Sequence, residues 1–327
     1  MDFGLSQPQP PPMLRRMTSR LMACALISAS VFQVVSCGPD PDMPIMAGNT
    51  QAAASEGEAF YLKAKQADDA GKVGKAIKLY DETATRFPFA PSAAQARFRQ
   101  AQLLEQKGEI LKSFEAYDQF LSRFQGSSLY TTALNRQIAM AQSAADGDVK
   151  QSMLGLKTRL SLDKTVEMLG KVRDNAPKSP PAAKAQFTIG RLYEGKKKSK
   201  EAIAAYNQLV RDQPGSSEAP EALFRVGLIL TAEADRGNQN QANLDLAREA
   251  FNDYLIQYPG HSRNGEARQF LANVGGKDLQ RSYDIAEFYQ KTGKLESAKV
   301  YYRDIVKRSP SGALHDKARA RLKELGE

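Results

Sequence analysis

The sequence predicts an all-α protein, a superhelical solenoid of about six helix-turn-helix repeats that is closed by a C-terminal capping helix. Three observations support this fold class. One pattern of aromatic and small residues recurs over residues 58–327, a glycine usually falls between its two halves, and a proline usually follows its end. A single helical hairpin cannot bury its apolar face, so repeated hairpins have to stack on one another.

Each copy of the pattern has an aromatic residue three positions before a small residue, and later a second small residue four positions before a second aromatic. Residues three and four apart share one face of a helix, so each copy predicts two amphipathic helices whose facing sides carry small and aromatic residues. The copies open with Tyr61-Ala64, Phe98-Ala101, Tyr130-Ala133, Phe187-Gly190, Phe224-Gly227 and Tyr283-Ala286, and they close on Tyr80, Tyr117, Leu169, Tyr206, Phe251 and Tyr302.

The connections between these helices are also predicted from the sequence. Glycines suit helix ends that need a positive φ, and we expect this role for Gly71, Gly108, Gly195 and Gly293. In the fifth copy the two halves are further apart, and we expect a longer turn around residues 236–240. The enlarged third copy predicts an extended helix with a break at residues 146–148. The helix predicted from Leu314 to Leu325 can cover the last apolar face.

Residues 1–36 have the pattern of a lipoprotein signal peptide. Arginines between positions 15 and 20 precede an apolar stretch from Leu21 to Val35, which is shorter than most membrane-spanning helices. The stretch closes with Val34-Val35-Ser36-Cys37, which resembles the lipobox of bacterial lipoproteins. We therefore expect lipid on Cys37. The alternative is an ordinary secretory signal that contains an incidental cysteine.

The segment from 37 to 57 is predicted to be a lipidated, flexible tether, because its many Pro, Ala, Ser, Asp and Gly residues can bury little surface. Acyl chains such as palmitate on Cys37 would anchor it to a membrane, at about 0.8 kcal/mol for each buried methylene. Gly38, and not Asp, follows the cysteine, which in lipoproteins of the enterobacterial type resembles outer-membrane sorting and not inner-membrane sorting. We expect the periplasmic face of the outer membrane as the location.

Composition and motifs argue against enzymes and nucleic-acid binders. The net charge is +9, but basic and acidic residues are interleaved, and the run 196–198 is interpreted as a solvated loop. Two cysteines and two histidines cannot form a zinc site or a disulfide framework. No catalytic constellation stands out. We expect no catalysis, no cofactor, no metal, no small-molecule substrate and no nucleic-acid partner.

The repeated residues resemble the tetratricopeptide repeat signature of a small residue on the first helix, an alanine and an aromatic on the second, and then a proline. The resemblance implies a protein-binding scaffold whose first helices line a concave groove. The opening aromatics could form a ladder for an extended peptide, or they could only pack between units. The candidate contacts, with polar neighbours one turn further on, are Tyr61, Lys65, Phe98, Gln102, Tyr130, Phe187, Arg191, Phe224 and Tyr283.

The lipobox with its short tether, the repeat ends 86–88 and 257–259, and the last unit from Arg281 to Gly293 after a helix over 266–273 together resemble the BamD family of outer-membrane lipoproteins. The resemblance implies that N-terminal repeats receive unfolded outer-membrane protein and that C-terminal repeats dock on the β-barrel insertase. The family usually has five repeats. The alternative is another envelope scaffold, such as a Tol–Pal or cell-division coordinator or a secretion or pilus assembly lipoprotein.

Overall fold

The computed structural model of the protein describes residues 50–153, 156–237 and 241–327. The predicted signal peptide, Cys37 and most of the predicted tether lie outside these ranges. Within them the chain forms thirteen helices and one β-hairpin. In chain order these are α1 (Thr50–Asp69), α2 (Val73–Arg86), α3 (Ala93–Gln106), α4 (Ile110–Arg123), α5 (Tyr130–Asp146), β1 (Lys150–Met153), β2 (Leu156–Arg159), α6 (Leu162–Asn175), α7 (Pro180–Gly195), α8 (Ser199–Asp212), α9 (Ala219–Arg236), α10 (Gln241–Gln257), α11 (Asn264–Lys291), α12 (Leu295–Arg308) and α13 (Ala313–Glu324).

Successive helices pack on each other as six hairpin units, which confirms the predicted fold class. Units 1 to 5 are the pairs α1/α2, α3/α4, α5/α6, α7/α8 and α9/α10. Unit 6 consists of α12 and the second half of α11. Helix α13 covers the far side of this unit, where Ala318 and Leu322 join its core. No helix of the described ranges is both long and apolar enough to cross a membrane.

The small residues of the pattern lie where the two helices of a unit approach most closely. A Cβ atom added at Gly190 would lie 2.4 Å from the Tyr206 ring, and one added at Gly227 would lie 2.7 Å from the Phe251 ring. Ala64, where unit 1 has alanine at this position, is fully buried. The closing aromatic therefore lies against the backbone of the first helix, and only a very small residue fits beneath it.

The turns need a positive φ seven residues after the small residue. Gly71, Gly108 and Gly293 satisfy this need, with φ of 68°, 77° and 75°. In unit 4 the equivalent residue is Lys197, with φ 57°. The prediction for Gly195 was therefore wrong, because Gly195 is still the last residue of α7.

Unit 3 contains a β-hairpin where we expected an extended helix. The predicted break is present, since α5 ends at Asp146 and Gly147 has φ 83°. Beyond it β1 pairs antiparallel with β2, with Lys150 opposite Arg159. Helix α6 begins at Leu162, and the Oγ of the preceding Ser161 caps it by accepting a hydrogen bond from the Lys164 N–H at 3.2 Å.

The predicted opening of the third copy, Tyr130 with Ala133, is out of register. Helix α5 begins 37 residues after α3, so Tyr130 corresponds to Ala93 and Ala133 to Ala96. The small-residue position of unit 3 is therefore Ile138, five residues later than predicted. Sequence matching failed here because an aromatic and an alanine three apart occur by chance at another helix position.

The additional residues of unit 5 lie mainly in its helices. Helix α9 runs to Arg236 and α10 begins at Gln241, so the connection has only four residues, compared with the three that separate α3 from α4. The predicted long turn was wrong. Both helices of unit 5 are longer than those of unit 2, because their periodic apolar residues continue to Ala234 and begin again at Leu244.

Helix α11 joins two segments that we predicted as separate helices. It is continuous over 28 residues, through Gly275 and Gly276, because no proline or capping residue interrupts it. Its first half packs on unit 5, where the rings of Phe270 and Phe251 stack with their centroids 5.2 Å apart. Its second half is the first helix of unit 6.

The helical domain begins earlier than predicted. Helix α1 starts at Thr50, so the expected tether boundary at residue 57 lies inside this helix. A Cβ atom added at Gly57 would lie 2.7 Å from the Ala90 Cβ and 2.8 Å from the Phe87 Cβ. Gly57 is therefore a close packing contact, whereas we interpreted it as part of a flexible segment.

Gly190→Ala tests the close helix crossing. The new methyl group would overlap the Tyr206 ring, so we expect the free energy of unfolding to fall by about 1–3 kcal/mol, despite the better helix propensity of alanine. Urea denaturation followed by circular dichroism measures the change. Gly195→Ala is the matched control, because nothing lies within 4 Å of its added Cβ. Equal stability of the two variants would contradict the packing described here.

Candidate protein-binding surface

The opening aromatics do not form an exposed ladder. Five of the six pack on the closing aromatic of their own unit, with ring centroids 5.4–5.8 Å apart. Phe98 and Tyr283 are only 7% and 8% exposed, and Phe224 is fully buried. These three residues are core residues, so their main role is packing and not peptide stacking.

The remaining opening aromatics are half-buried and each has a partner within the chain. The Tyr61 hydroxyl donates to Gln95 Oε1 at 3.3 Å, and the Tyr130 hydroxyl donates to the Asn175 carbonyl at 3.0 Å. The Phe187 ring lies 5.9 Å from the Arg225 guanidinium. These contacts tie neighbouring helices together.

The predicted polar contacts are separated from one another. Lys65 is exposed on α1 and pairs with Asp69 at 3.6 Å. Gln102 Oε1 accepts a hydrogen bond from Arg99 Nη1 at 3.3 Å, and Arg191 is exposed on α7. Of the nine predicted contact residues, the structure brings Phe98 and Gln102 together in the lining of one cavity.

A polar contact that we did not predict repeats along the first helices. In unit 4 the Tyr206 hydroxyl donates to Glu194 Oε2 at 2.7 Å, and Arg225 of unit 5 donates to the same carboxylate at 3.0 Å. Units 1 and 2 repeat it with the groups Tyr80–Asp68–Arg99 and Tyr117–Glu105–Arg136. One carboxylate thus joins both helices of its own unit to the next unit. The constant spacing of 12 residues to the tyrosine and 31 to the arginine is the signal that could have revealed it.

These contacts perturb the tyrosines. Burial, and then the neighbouring Glu105 carboxylate, raise the pKa of Tyr117 to about 12. Burial and the hydrogen bond to Glu194 raise the pKa of Tyr206 far above its usual range. The hydrogen bond to Glu105 raises the pKa of Arg136. At neutral pH the tyrosines are therefore neutral donors and the arginines fully charged.

A groove runs between α3 and α5. Its first cavity has a volume of about 440 Å³ and contains Phe98, Gln102, Thr132 and Arg136 in its lining. A second cavity of about 630 Å³ shares Glu105 and Arg136 with the first and continues past Met140 to Asp148, Val149 and Lys150, where β1 begins. We call the two cavities together the unit 2–3 groove. It offers apolar patches beside fixed charges, which is a surface suited to an extended peptide.

The described residues contain no cluster of His, Cys, Asp and Glu that could hold a metal ion. The two tetratricopeptide repeat family models match residues 61–128, 187–262 and 280–311, together more than half of the chain. The chain belongs to the tetratricopeptide repeat family. The unmatched interval contains unit 3, in agreement with its inserted hairpin and shifted register. No curated protein matches the chain.

Solved structures of tetratricopeptide proteins are similar at low identity. YrrB, described as a tetratricopeptide protein with an unusual peptide-binding site, is 16% identical, with 69% of this chain and 92% of that chain covered and a TM-score of 0.28. A repeat protein from Cytophaga hutchinsonii is 12% identical, with coverages of 80% and 87% and a TM-score of 0.32. PilF of Pseudomonas aeruginosa is 12% identical, with coverages of 83% and 100% and a TM-score of 0.27.

Tyr117→Phe tests the tyrosine–carboxylate contact. In the unfolded chain a tyrosine ionises near pH 10, whereas Tyr117 in the folded protein has a pKa of about 12. The part of the free energy of unfolding that depends on a protonated Tyr117 is complete below about pH 10. It is lost as the pH rises towards 12, by up to about 2 kcal/mol for this tyrosine. Urea denaturation between about pH 8 and pH 11 should show a shallower loss in the variant than in the wild type, and the variant should be less stable at pH 8 by about 1 kcal/mol because it lacks the hydrogen bond to Glu105. Identical pH profiles would contradict this assignment.

Proposed function

We propose that this protein is a lipid-anchored periplasmic scaffold that takes part in the assembly of outer-membrane β-barrel proteins, as the resemblance to the BamD family suggests. The observation that carries a scaffold function is an open apolar face on unit 6. The anchor and the location rest on the lipobox at Cys37 and on Gly38.

The open face is recognised by comparing unit 6 with unit 4. In unit 4, Leu192 and Tyr193 of α7 belong to the hydrophobic cluster that also contains Met168 and Val172 of the preceding second helix, α6. The equivalent residues of unit 6 are Phe288 and Tyr289, which also lie two and three positions after the small residue of their unit. Phe288 is 61% exposed. The face that a preceding helix covers in unit 4 is therefore uncovered in unit 6.

The length of α11 explains why this face is open. The first residue of α10, Gln241, donates from Nε2 to Asp278 Oδ1 at 2.9 Å. Helix α10 thus begins level with the middle of α11. The face of α11 that packs on α10 is a stripe that includes Ala267 and Val274, and this stripe continues past the start of α10 to Phe288. Among the described helices, α11 packs mainly on α10, α12 and α13, and α10 does not extend along that part of the stripe.

We call Phe288, Tyr289 and Tyr301 the unit 6 face. The rings of Tyr289 and Tyr301 stack at 5.7 Å, and that of Phe288 lies 5.9 Å from Tyr289. Lys294 Nζ lies 5.9 Å from the Tyr289 ring, and Lys291, which pairs with Glu287 at 3.7 Å, is exposed nearby. Clustered aromatic residues with a basic rim are typical of a protein-docking surface. A folded partner with an apolar, acid-flanked patch would fit it.

The unit 2–3 groove supports the second part of the proposal, which is binding of an extended client segment. Unfolded outer-membrane proteins expose alternating apolar and polar residues. The lining of the groove includes the apolar residues Ile110 and Ala139, which are not buried, and a fixed charge pair in Glu105 and Arg136. A client could be held in the groove while the unit 6 face holds the insertase.

Tagged protein purified from gently solubilised membranes tests the partner. We expect a barrel insertase with repeated periplasmic domains to co-purify at a ratio near one to one. Phe288→Glu places a charge on the unit 6 face and should reduce recovery at least about tenfold, as expected when a central apolar contact is lost. Ile256→Glu, at an α10 residue that is 75% exposed, is the control and should not reduce it. Recovery of Tol–Pal, secretion or pilus components without the insertase would contradict the β-barrel assembly role and favour those functions.

Cys37→Ser tests the anchor. Without the thiol no diacylglycerol can be attached, so we expect the variant to move from the membrane fraction to the soluble periplasmic fraction and to lose labelling by radioactive palmitate. Cys24→Ser, upstream of the predicted cleavage site, should behave as the wild type. Membrane retention and labelling of the Cys37 variant would refute lipidation at this position.

A further inference from the structure

A second cleft, separate from the unit 2–3 groove, lies between α2 and α4. It has a volume of about 680 Å³, and α3 supplies Arg97, Gln100 and Leu104 to its lining. The groove receives Phe98 and Gln102 from another side of the same helix. We call this the second-helix cleft, because α2 and α4 are the second helices of their units.

The cleft contains a buried arginine at a position where units 3, 4 and 5 have an uncharged residue. Arg97, four residues before the small residue of unit 2, is only 3% exposed. The equivalent residues are Leu134, Gln186 and Leu223 in units 3, 4 and 5. Burying a guanidinium is costly unless it is fully paired. Since leucine fills this position elsewhere, the fold does not require the charge.

The hydrogen bonds of Arg97 leave part of its capacity unused. Nη1 donates to Asp81 Oδ1 at 2.5 Å and to Gln100 Oε1 at 2.6 Å, and Nη2 donates to Thr85 Oγ1 at 2.8 Å. Nε is buried and has no partner among the described residues. A guanidinium can hold a carboxylate through two parallel hydrogen bonds. Here Asp81 accepts only one hydrogen bond from Arg97, and the Asp81 side chain is 52% exposed.

The charges around the cleft favour an anion. Its lining includes the cations Lys78, Lys107, Lys112 and Lys164 beside the carboxylates Asp81, Glu109 and Glu115. Glu109 is paired with Lys107 at 2.6 Å and with Lys112 at 2.7 Å, and Glu115 with Lys171 at 2.8 Å. Lys164 pairs with Glu167 at 2.8 Å. With Arg97, five cations face three carboxylates, so the cleft carries a positive charge.

The walls of the cleft are apolar between these charges. Ile77, Leu104, Leu111 and Ala116 contribute to its lining. A ligand that fits has both a carboxylate and small apolar groups close to it. A peptide segment in which acidic and aliphatic residues alternate has this chemistry, whereas a nucleic acid or an inorganic anion lacks the apolar part.

We propose that the second-helix cleft binds an acidic segment of a protein partner, with one Glu or Asp carboxylate on Arg97 and the flanking aliphatic side chains on the walls. The bound carboxylate takes the place of the half-exposed Asp81 carboxylate on Nη1, because the unpartnered Nε is buried and out of reach of a ligand. The site is independent of the proposed role in β-barrel assembly, because it uses neither the unit 2–3 groove nor the unit 6 face.

Fluorescence anisotropy with the full-length protein in mild detergent tests this proposal. The probe is a fluorescein-labelled hexapeptide of alternating Leu and Glu, and the comparison peptide has Gln in place of Glu. We expect the Glu peptide to bind at least about tenfold more tightly. The variant Arg97→Leu should fold, because units 3 and 5 have leucine at the same position, as Leu134 and Leu223. It should bind the Glu peptide about tenfold more weakly. Lys196→Ala removes one positive charge in the unit 4 turn and should leave the affinity unchanged.

Asp81→Asn separates a binding role from a structural one. The substitution removes the carboxylate that competes for Arg97, so we expect the Glu peptide to bind about threefold more tightly. A merely structural Arg97 would not produce tighter binding. Wild-type affinity in Arg97→Leu, an equal loss in Lys196→Ala, or weaker binding in Asp81→Asn would overturn the proposal. If Arg97→Leu does not fold, the Asp81→Asn result decides.

Discussion

The close crossing of the two helices, with a small residue beneath an aromatic ring in every unit except unit 3, is the contact on which the structure depends. At Gly190 and Gly227 there is no room for even a methyl group under Tyr206 and Phe251. This approach allows the ring of the second helix and the opening aromatic of the first helix to pack together. It fixes the shape of the unit, and therefore also the face that the unit offers to its neighbour.

The polar contacts between units follow from this geometry. With the closing tyrosine held over the small residue, its hydroxyl reaches the acidic side chain one turn further along the first helix, as Tyr206 reaches Glu194. The next unit then supplies Arg225 to the same carboxylate. A partly buried carboxylate with two donors is stabilising, whereas one that lost its donors would be costly. The register between units is thus specified by charge as well as by apolar packing.

The fold class, the unit count and the capping helix were predicted from sequence, because the small and aromatic positions recur at constant spacing. Prediction failed where that spacing is broken. Unit 3 has an alanine three residues after Tyr130 by coincidence, and its hairpin lacks a strong strand pattern. Helix α11 merges two predicted helices, since nothing in residues 274–280 ends a helix, and this merging leaves the unit 6 face open.

The candidate binding surfaces were less predictable than the fold. The same aromatic pattern is compatible with an exposed ladder and with a buried core, and only the burial of Phe98, Phe224 and Tyr283 distinguishes the two. Arg97 gave no signal in the sequence, because an arginine on an amphipathic helix normally lies in solvent. The burial of Arg97 depends on how α2, α3 and α4 pack together, and the pattern of a single helix does not reveal this.

Site-specific photo-crosslinking in intact cells tests the central claim, that the face left open by α11 is where a partner docks. A photoreactive phenylalanine analogue at position 288 should crosslink to one envelope protein, which we expect to be the β-barrel insertase. The same analogue at position 256, which is also exposed on α10, should give no such product. Absence of any specific crosslink at position 288, with the protein present in the membrane, would show that no partner docks on the unit 6 face.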